Sequence, residues 1–263
     1  MTIDQHILLS DLNYAEALRE LTRRAGGVVH DEDGLLCYAG PHPFPVLMNG
    51  VMRTASGPCA PVVLERARAF FAPRDRGYTV HVRAHADADL RAASEQAGLT
   101  LVGDAPGMVL EQRLPNGAPP PGVEFRRVSG DDDVRAFGRI MGQAYATYGM
   151  PPEVGPASFP HRDVLIAPHI AAFLALLGGE PVAGAMVIVT HGVSGVYWVG
   201  TLPEARGRGL AELCTRAAGN AGFDQGARIA ALQASVMGEP IYRRMGYVEV
   251  TRYPFMVQLR PPA

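Results

Sequence analysis

The clearest chemical signal in the chain is a run of thirteen residues, Val199-Gly200-Thr201-Leu202-Pro203-Glu204-Ala205-Arg206-Gly207-Arg208-Gly209-Leu210-Ala211. A strand-like stretch runs into a glycine-rich turn and then directly into residues with helical periodicity. The first amides of a helix have no partner within it, and the positive end of the helix dipole lies behind them. Such a turn holds an anion, and the small residues Gly207, Gly209 and Ala211 let a pyrophosphate approach the backbone. Arg206 and Arg208 add positive charge. The pattern is neither the dinucleotide fingerprint nor the Walker loop. The latter needs a lysine, and all 24 basic residues of this chain are arginine.

The elements around this turn can be read from periodicity and breakers. Residues 114–122, Leu-Pro-Asn-Gly-Ala-Pro-Pro-Pro-Gly, are too rich in proline and glycine to continue a helix or a central strand, and form a semi-rigid linker. Beyond it, residues 123–128 predict a strand. Ser129 and the acidic run 131–133 predict the capped start of a helix reaching about Tyr148, and a short helix is expected over residues 160–167. Three strands follow at 170–177, 181–190 and 193–202, separated at hairpin length by Gly178-Gly179-Glu180 and His191-Gly192. A helix is expected at 210–221, a strand at 228–234, a helix at 240–245 stopped by Gly246, and strands at 247–250 and 255–259.

The first half carries a fainter version of this plan. It has a helix at 61–71, a strand at 79–83, a helix at 88–97 stopped by Gly98, and strands at 99–102 and 108–110. Gly98 to Gly246 is 148 residues, as is Met108 to Met256, and this common offset points to internal duplication. At that offset Pro58, Pro61, Val63 and Ser94 stand opposite Arg206, Gly209, Ala211 and Tyr242. The first half is therefore expected to lack cofactor chemistry.

Arg206-x-x-Gly209-x-Ala211, with Pro203 at the strand end, resembles the acetyl-CoA signature of the GCN5-related N-acetyltransferase (GNAT) superfamily. The segment from Ala234 to Tyr247, which contains Ser235, Tyr242 and Gly246, resembles that family's second motif. The resemblance covers residues from about 122 onward, and a degenerate first half resembles the tandem members of the superfamily. It implies an α+β chain of two tandem GNAT-like domains, with mixed and mostly antiparallel sheets flanked by helices. The expected division is a degenerate domain at 1–114, a linker at 115–122 and a catalytic domain at 123–263.

The resemblance also implies roles. Backbone groups of Val199, Gly200 and Thr201 would pair with the pantetheine arm. The turn of Arg206, Gly207, Arg208, Gly209, Leu210 and Ala211 would hold the pyrophosphate. Tyr242 would protonate the departing thiolate as general acid. Ser235 stands where many relatives place Asn and offers only a shorter hydroxyl toward the cofactor. Residues 196–201 contain no carboxylate to serve as base. Glu204 lies past the strand and His191 in a hairpin, so no base is assigned. Tyr145, Tyr148, Met150 and Trp198 are candidates for an apolar acceptor wall, and the extended segment Pro41-His42-Pro43-Phe44-Pro45 for its floor.

Composition bounds the partners. A net charge of −2 gives no basic field for nucleic acid or an anionic membrane surface. No run approaches the ~20 apolar residues of a spanning helix, and the N-terminal residues do not have the pattern of a signal peptide. Cys37, Cys59 and Cys214 have no metal-ligand spacing. The expected protein is cytoplasmic and metal-free, with acetyl-CoA as co-substrate and a small-molecule or peptide amine as acceptor; a homodimer is admissible. A non-catalytic acyl-CoA-binding module is the other reading of the same turn.

Overall fold

The structure is a computed structural model, described here over residues 1–259. Its first half comprises α1 (Ile3–Arg24), β1 (Val28–Glu32), β2 (Leu35–Ala39), β3 (Asn49–Arg53), α2 (Ala60–Phe71), β4 (Tyr78–His81), α3 (Ala88–Gln96) and β5 (Thr100–Leu110). The second half comprises β6 (Val123–Arg127), α4 (Asp131–Tyr145), α5 (Val154–Ser158), β7 (Ile170–Leu177), β8 (Glu180–Thr190), β9 (Val193–Thr201), α6 (Leu210–Phe223), β10 (Ile229–Gln233), α7 (Glu239–Arg244) and β11 (Val248–Gln258). All eleven strands join one mixed sheet in the order β1-β2-β3-β4-β11-β5-β10-β9-β8-β7-β6. Only β3/β4 and β9/β10 pair in parallel, as the expected βα crossovers require.

Several local expectations are corrected. The two short strands expected at each C-terminal end are single eleven-residue strands, β5 and β11. Register shifts in their pairing stand where the sequence reads as a break. The helix expected at 160–167 is a 3-10 turn at Arg162–Val164, preceded by α5. Gly130, not Ser129, is the N-cap of α4; Asp133 reaches back instead, accepting from the Ser129 amide at 3.1 Å.

The central feature is an exchange of strands. β5 lies between β10 and β11, and β11 lies between β5 and β4, so each half's last strand pairs with the other half's preceding strand. Gly107 of β5 faces Gln233, while Phe255 of β11 faces His81; Gly107 and Phe255 are again 148 apart. Where the two last strands pair, Ala105 lies opposite Tyr253, and 253 − 105 is also 148. The offset read from sequence is therefore a two-fold relation in space, with its axis between Ala105 and Tyr253.

α1 fixes this junction. Its start is a capping box, with Thr2 and Gln5 bonded reciprocally at 3.3 and 3.0 Å. The Asn13 amide donates to the Ile188 carbonyl at 3.1 Å and the Thr190 hydroxyl at 2.8 Å, while Tyr197 donates to Asn13 Oδ1 at 2.6 Å. Two residues earlier, Asp11 accepts from the Tyr253 hydroxyl at 2.7 Å. Tyr14 and Tyr38 hydrogen-bond the two ring nitrogens of His81 at 2.9 and 2.6 Å. Faces follow from alternation along the strands. A side chain at Gly195, paired with Ile188, would meet Asn13 of α1, and one at Gly184 would meet Phe137 of α4. Ile188 and Gly184 share a face, so α1 and α4 lie together. Ser194 points the other way and donates to the Gly219 carbonyl of α6 at 3.0 Å.

Two predictions follow from this architecture. Residues 123–263 expressed alone would leave β10 without β5 and β11 without β4, and should aggregate; co-expression with residues 1–114 should restore a soluble complex of both. A monomeric, folded 123–263 fragment would contradict the exchange. Burial also pushes the His81 pKa down to about 3, so its neutral form supports the fold. That contribution is full above the unfolded value near 6.5 and is lost as pH falls toward the folded value. Thermal unfolding should show a loss on the order of 2 kcal/mol between pH 6.5 and 4.5, and His81→Asn should flatten that slope.

Candidate functional site

The site begins where two parallel strands part. β9 and β10 pair only through Val193–Gly195 and Ile229–Ala231. Beyond that point β9 carries a bulge against β8, with Gly184 opposite Gly200 but Met186 opposite Tyr197, and Trp198 takes φ of 48°. The bulge turns the end of β9 away from β10 and opens a wedge. On its α4 side, Gly200 sits so close that a Cβ would meet Met141 Sδ at 2.9 Å and Ala144 Cβ at 3.0 Å.

A cavity of about 310 Å³ occupies this wedge. Of the residues singled out from sequence, Val199, Gly200, Thr201, Arg206, Gly207, Gly209, Leu210, Ala211, Ser235 and Tyr242 all line it. Arg208 does not; it is exposed. Gly207 and Gly209 have φ of 76° and 73°, a left-handed backbone that suits glycine, and open space lies where a Cβ would be. The Leu213 amide makes the first internal bond of α6, to the Gly209 carbonyl at 3.0 Å. The amides of Leu210, Ala211 and Glu212 are left for another acceptor. Arg206 is a clamp as much as a charge. It donates to the Thr147 hydroxyl at 2.9 Å and the Ala144 carbonyl at 3.3 Å, fastening the turn to the end of α4. Arg244 also lines the cavity, a cation that sequence reasoning passed over although it ends the glycine-stopped helix α7.

Thr201 Oγ1 is buried and has no hydrogen-bond partner among the described residues. Ser235 is committed elsewhere, accepting from the Gly238 amide at 3.1 Å and the Tyr148 hydroxyl at 3.0 Å. The Tyr145 hydroxyl lies against the Val199 amide. Tyr242 is 6% exposed, and burial raises its phenol pKa well above the usual value, with a smaller opposing effect from the nearby Thr215 hydroxyl. It stays protonated at any physiological pH.

A second cavity of about 400 Å³ meets the first at Tyr145, Tyr148, Val199, Ser235 and Tyr242. Met150 and Trp198 line it as expected, and so do Pro41 and Phe44 from the first half. Much of its wall was invisible to sequence reasoning: Tyr14, Leu18 and Leu21 of α1, and Val46, Leu47 and Met48 of the loop before β3. Neither His191 nor Glu204 lines either cavity. His191 sits in the hairpin at the other end of β9, and Glu204 is exposed in the turn after it.

The corresponding turn of the first half is built differently. Cys59 is the N-cap of α2 as Gly209 is of α6, a separation of 150 that corrects the 148 expected at this element. Pro61 then falls opposite Ala211, where it removes an amide donor. Arg53 forks onto Asp89 at 3.0 Å through each of two nitrogens. That guanidinium, helped by the backbone amides of Leu90 and Ala60, holds the Asp89 carboxyl below its usual range. An internal carboxylate thus stands at the start of α2. Ser94, opposite Tyr242, is buried and donates to the Leu90 carbonyl at 2.7 Å.

Comparison with known proteins agrees with this geometry. Residues 112–246, just over half of the chain, match the family described as acetyltransferase (GNAT) domain. Among solved structures, the chain is similar to a GCN5-related N-acetyltransferase from Kribbella flavida, at 24% identity and a TM-score of 0.71, covering 97% of this chain and 96% of that one. It is also similar to a GCN5-related N-acetyltransferase from Sphaerobacter thermophilus, at 17% identity and a TM-score of 0.62, covering 88% and 78%. A tandem GNAT protein from the clavulanic acid biosynthesis pathway matches at 14% identity and a TM-score of 0.56, covering 87% and 79%. No curated protein matches the chain. The three structures share the fold, and the match over residues 112–246 adds the family: the chain belongs to the GNAT acetyltransferases.

Proposed function

We propose that the chain transfers an acetyl group from acetyl-CoA to a primary amine by direct attack, with Tyr242 as general acid. The observation that carries this reading is the meeting of the two cavities at Tyr242, a buried and protonated phenol. The residues present fit the co-substrate. The backbone at Val199, Gly200 and Thr201 would hold the pantetheine arm, and the free amides of the turn and of α6 would hold the pyrophosphate. Arg206 keeps the turn in place and Arg244 adds charge. Acetyl-CoA supplies an activated thioester whose leaving group is a thiol of intrinsic pKa about 8.5. Protonation by Tyr242 therefore accelerates departure without being indispensable. The two halves divide the work: residues 123–263 hold the co-substrate, while residues 1–114 complete the sheet and wall the second cavity.

Two measurements test this reading. Tyr242→Phe should lower turnover by about 10²–10⁴ while leaving affinity for acetyl-CoA nearly unchanged. A loss of stability with no loss of turnover per folded molecule would make Tyr242 a core residue instead. Calorimetric titration should give about one acetyl-CoA per chain. Gly209→Val forces a branched side chain into a left-handed backbone, at a cost on the order of 1–3 kcal/mol, and should weaken acetyl-CoA binding tenfold or more. Two sites per chain, or undiminished binding by folded Gly209→Val, would place the cofactor elsewhere.

A further inference from the structure

The second cavity is apolar and built under strain. Among the described residues, five non-glycine residues have positive φ; Asp33, Asp75 and His191 are of types that tolerate it in turns, whereas Leu47 and Trp198 are not. Both of the latter line the cavity, one from each half. Such conformations persist only where the surroundings over-determine them, and they gather at ligand clamps. Here they set Leu47 and Trp198 beside Tyr145, in the cluster built on Met48, Met150 and Val154. Trp198 has its ring 5.3 Å from that of Tyr145 and 5.2 Å from that of Phe159. The result is an aromatic-walled chamber large enough for a ring or two.

The charges of this chamber are spoken for. Its charged lining residues are Asp104, Glu239 and Arg252. Arg252 pairs with Asp104 at 3.1 Å and with Glu249 at 2.9 Å, and Glu239 accepts from Arg243 at 2.8 Å. No histidine is among the lining residues. An alkylammonium entering here would give up water and meet only carboxylates already paired with arginine, a costly transfer. The aromatic faces could hold it by cation–π attraction, but that favours the protonated form, which has no lone pair for attack. No uncommitted base stands by to remove the proton.

We infer that the acceptor is a weakly basic aromatic amine, neutral at pH 7, whose ring lies in this chamber with its nitrogen toward Tyr242. This rests on the acetyltransferase reading above and names the substrate class for that site. Delocalisation of the nitrogen lone pair into the ring keeps an aniline-type amine unprotonated, so it needs neither counter-ion nor base to enter. In the transfer, the amine nitrogen forms a bond to the thioester carbonyl carbon and the carbon–sulfur bond breaks. Tyr242 gives its proton to the departing sulfur, and the nitrogen releases one of its protons to water, from which the phenol is restored. The products are the anilide and the free thiol.

The test uses the full-length protein with two amines of matched size, 4-methylaniline and benzylamine, reading free thiol with acetyl-CoA. At pH 7 the aniline should have kcat/KM at least tenfold higher. Its rate should be nearly flat from pH 6 to 9, while that for benzylamine should rise about tenfold per pH unit. Phe44→Glu would add a carboxylate to the wall and should narrow the ratio, because the ammonium then finds a partner. Equal or better use of benzylamine at pH 7 overturns the inference, as does a chain that binds acetyl-CoA by calorimetry yet acetylates neither amine. Failure of the function itself reads differently: acetyl-CoA does not bind.

Discussion

The parting of β9 from β10 beyond Gly195 and Ala231 is the constraint on which the site depends. A parallel pair cannot separate within a sheet without leaving unpaired amides and carbonyls on both edges. One edge is relieved by chemistry: the end of β9 opens onto a wedge lined by Val199, Gly200 and Thr201, where a polar ligand can bond. The other edge is short. β10 is only five residues long, and its far side pairs with β5 of the other half, through Ala230 with Leu110 to Gln233 with Gly107. The strand exchange is therefore part of the site as well as a tether between halves.

Much of this was legible in the sequence because the second half obeys local rules. Strands 170–177 and 193–201 announce themselves by apolar runs between glycine turns, and Gly209 begins a helix where its neighbours predict one. Ten of the eleven residues named for the site line one or both cavities. The first 53 residues resisted for a physical reason. α1 buries His6, Asp11 and Asn13 along with its apolar side chains, so its stripe is interrupted by polar residues whose partners lie more than 60 positions away. Periodicity detects burial of hydrophobic surface, not burial satisfied by distant hydrogen bonds. The part of the second cavity's wall supplied by α1 and by Val46, Leu47 and Met48 was missed with it, since these residues reach the cavity only through the three-dimensional exchange.

The two-fold relation explains why one half could lose its turn and keep its fold. The pairing demands of β4, β5, β10 and β11 bear on alternation along the strands, and those strands keep the offset of 148 at Gly107 and Phe255. The turn before a helix carries no such demand. Once no phosphate must be held, the positive start of α2 still favours an anion, and Asp89, fixed by Arg53, meets it from within. An internal carboxylate in place of a bound one removes the need for glycine, so Cys59 and Pro61 are tolerated where Gly209 and Ala211 stand in the other half. The first half also lends surface to the neighbouring site. The loop from Pro41 to Met48 does this, crossing to pack Met48 against Met150 and Val154 and to hold Leu47 in an unfavourable backbone beside Trp198. The same loop is anchored from behind, where the Asn49 amide donates to the carbonyls of His42 and Phe44 at 2.9 and 2.7 Å. A pocket wall supplied by the first half can vary in shape without disturbing the turn, the bulge or Tyr242, which all belong to the second.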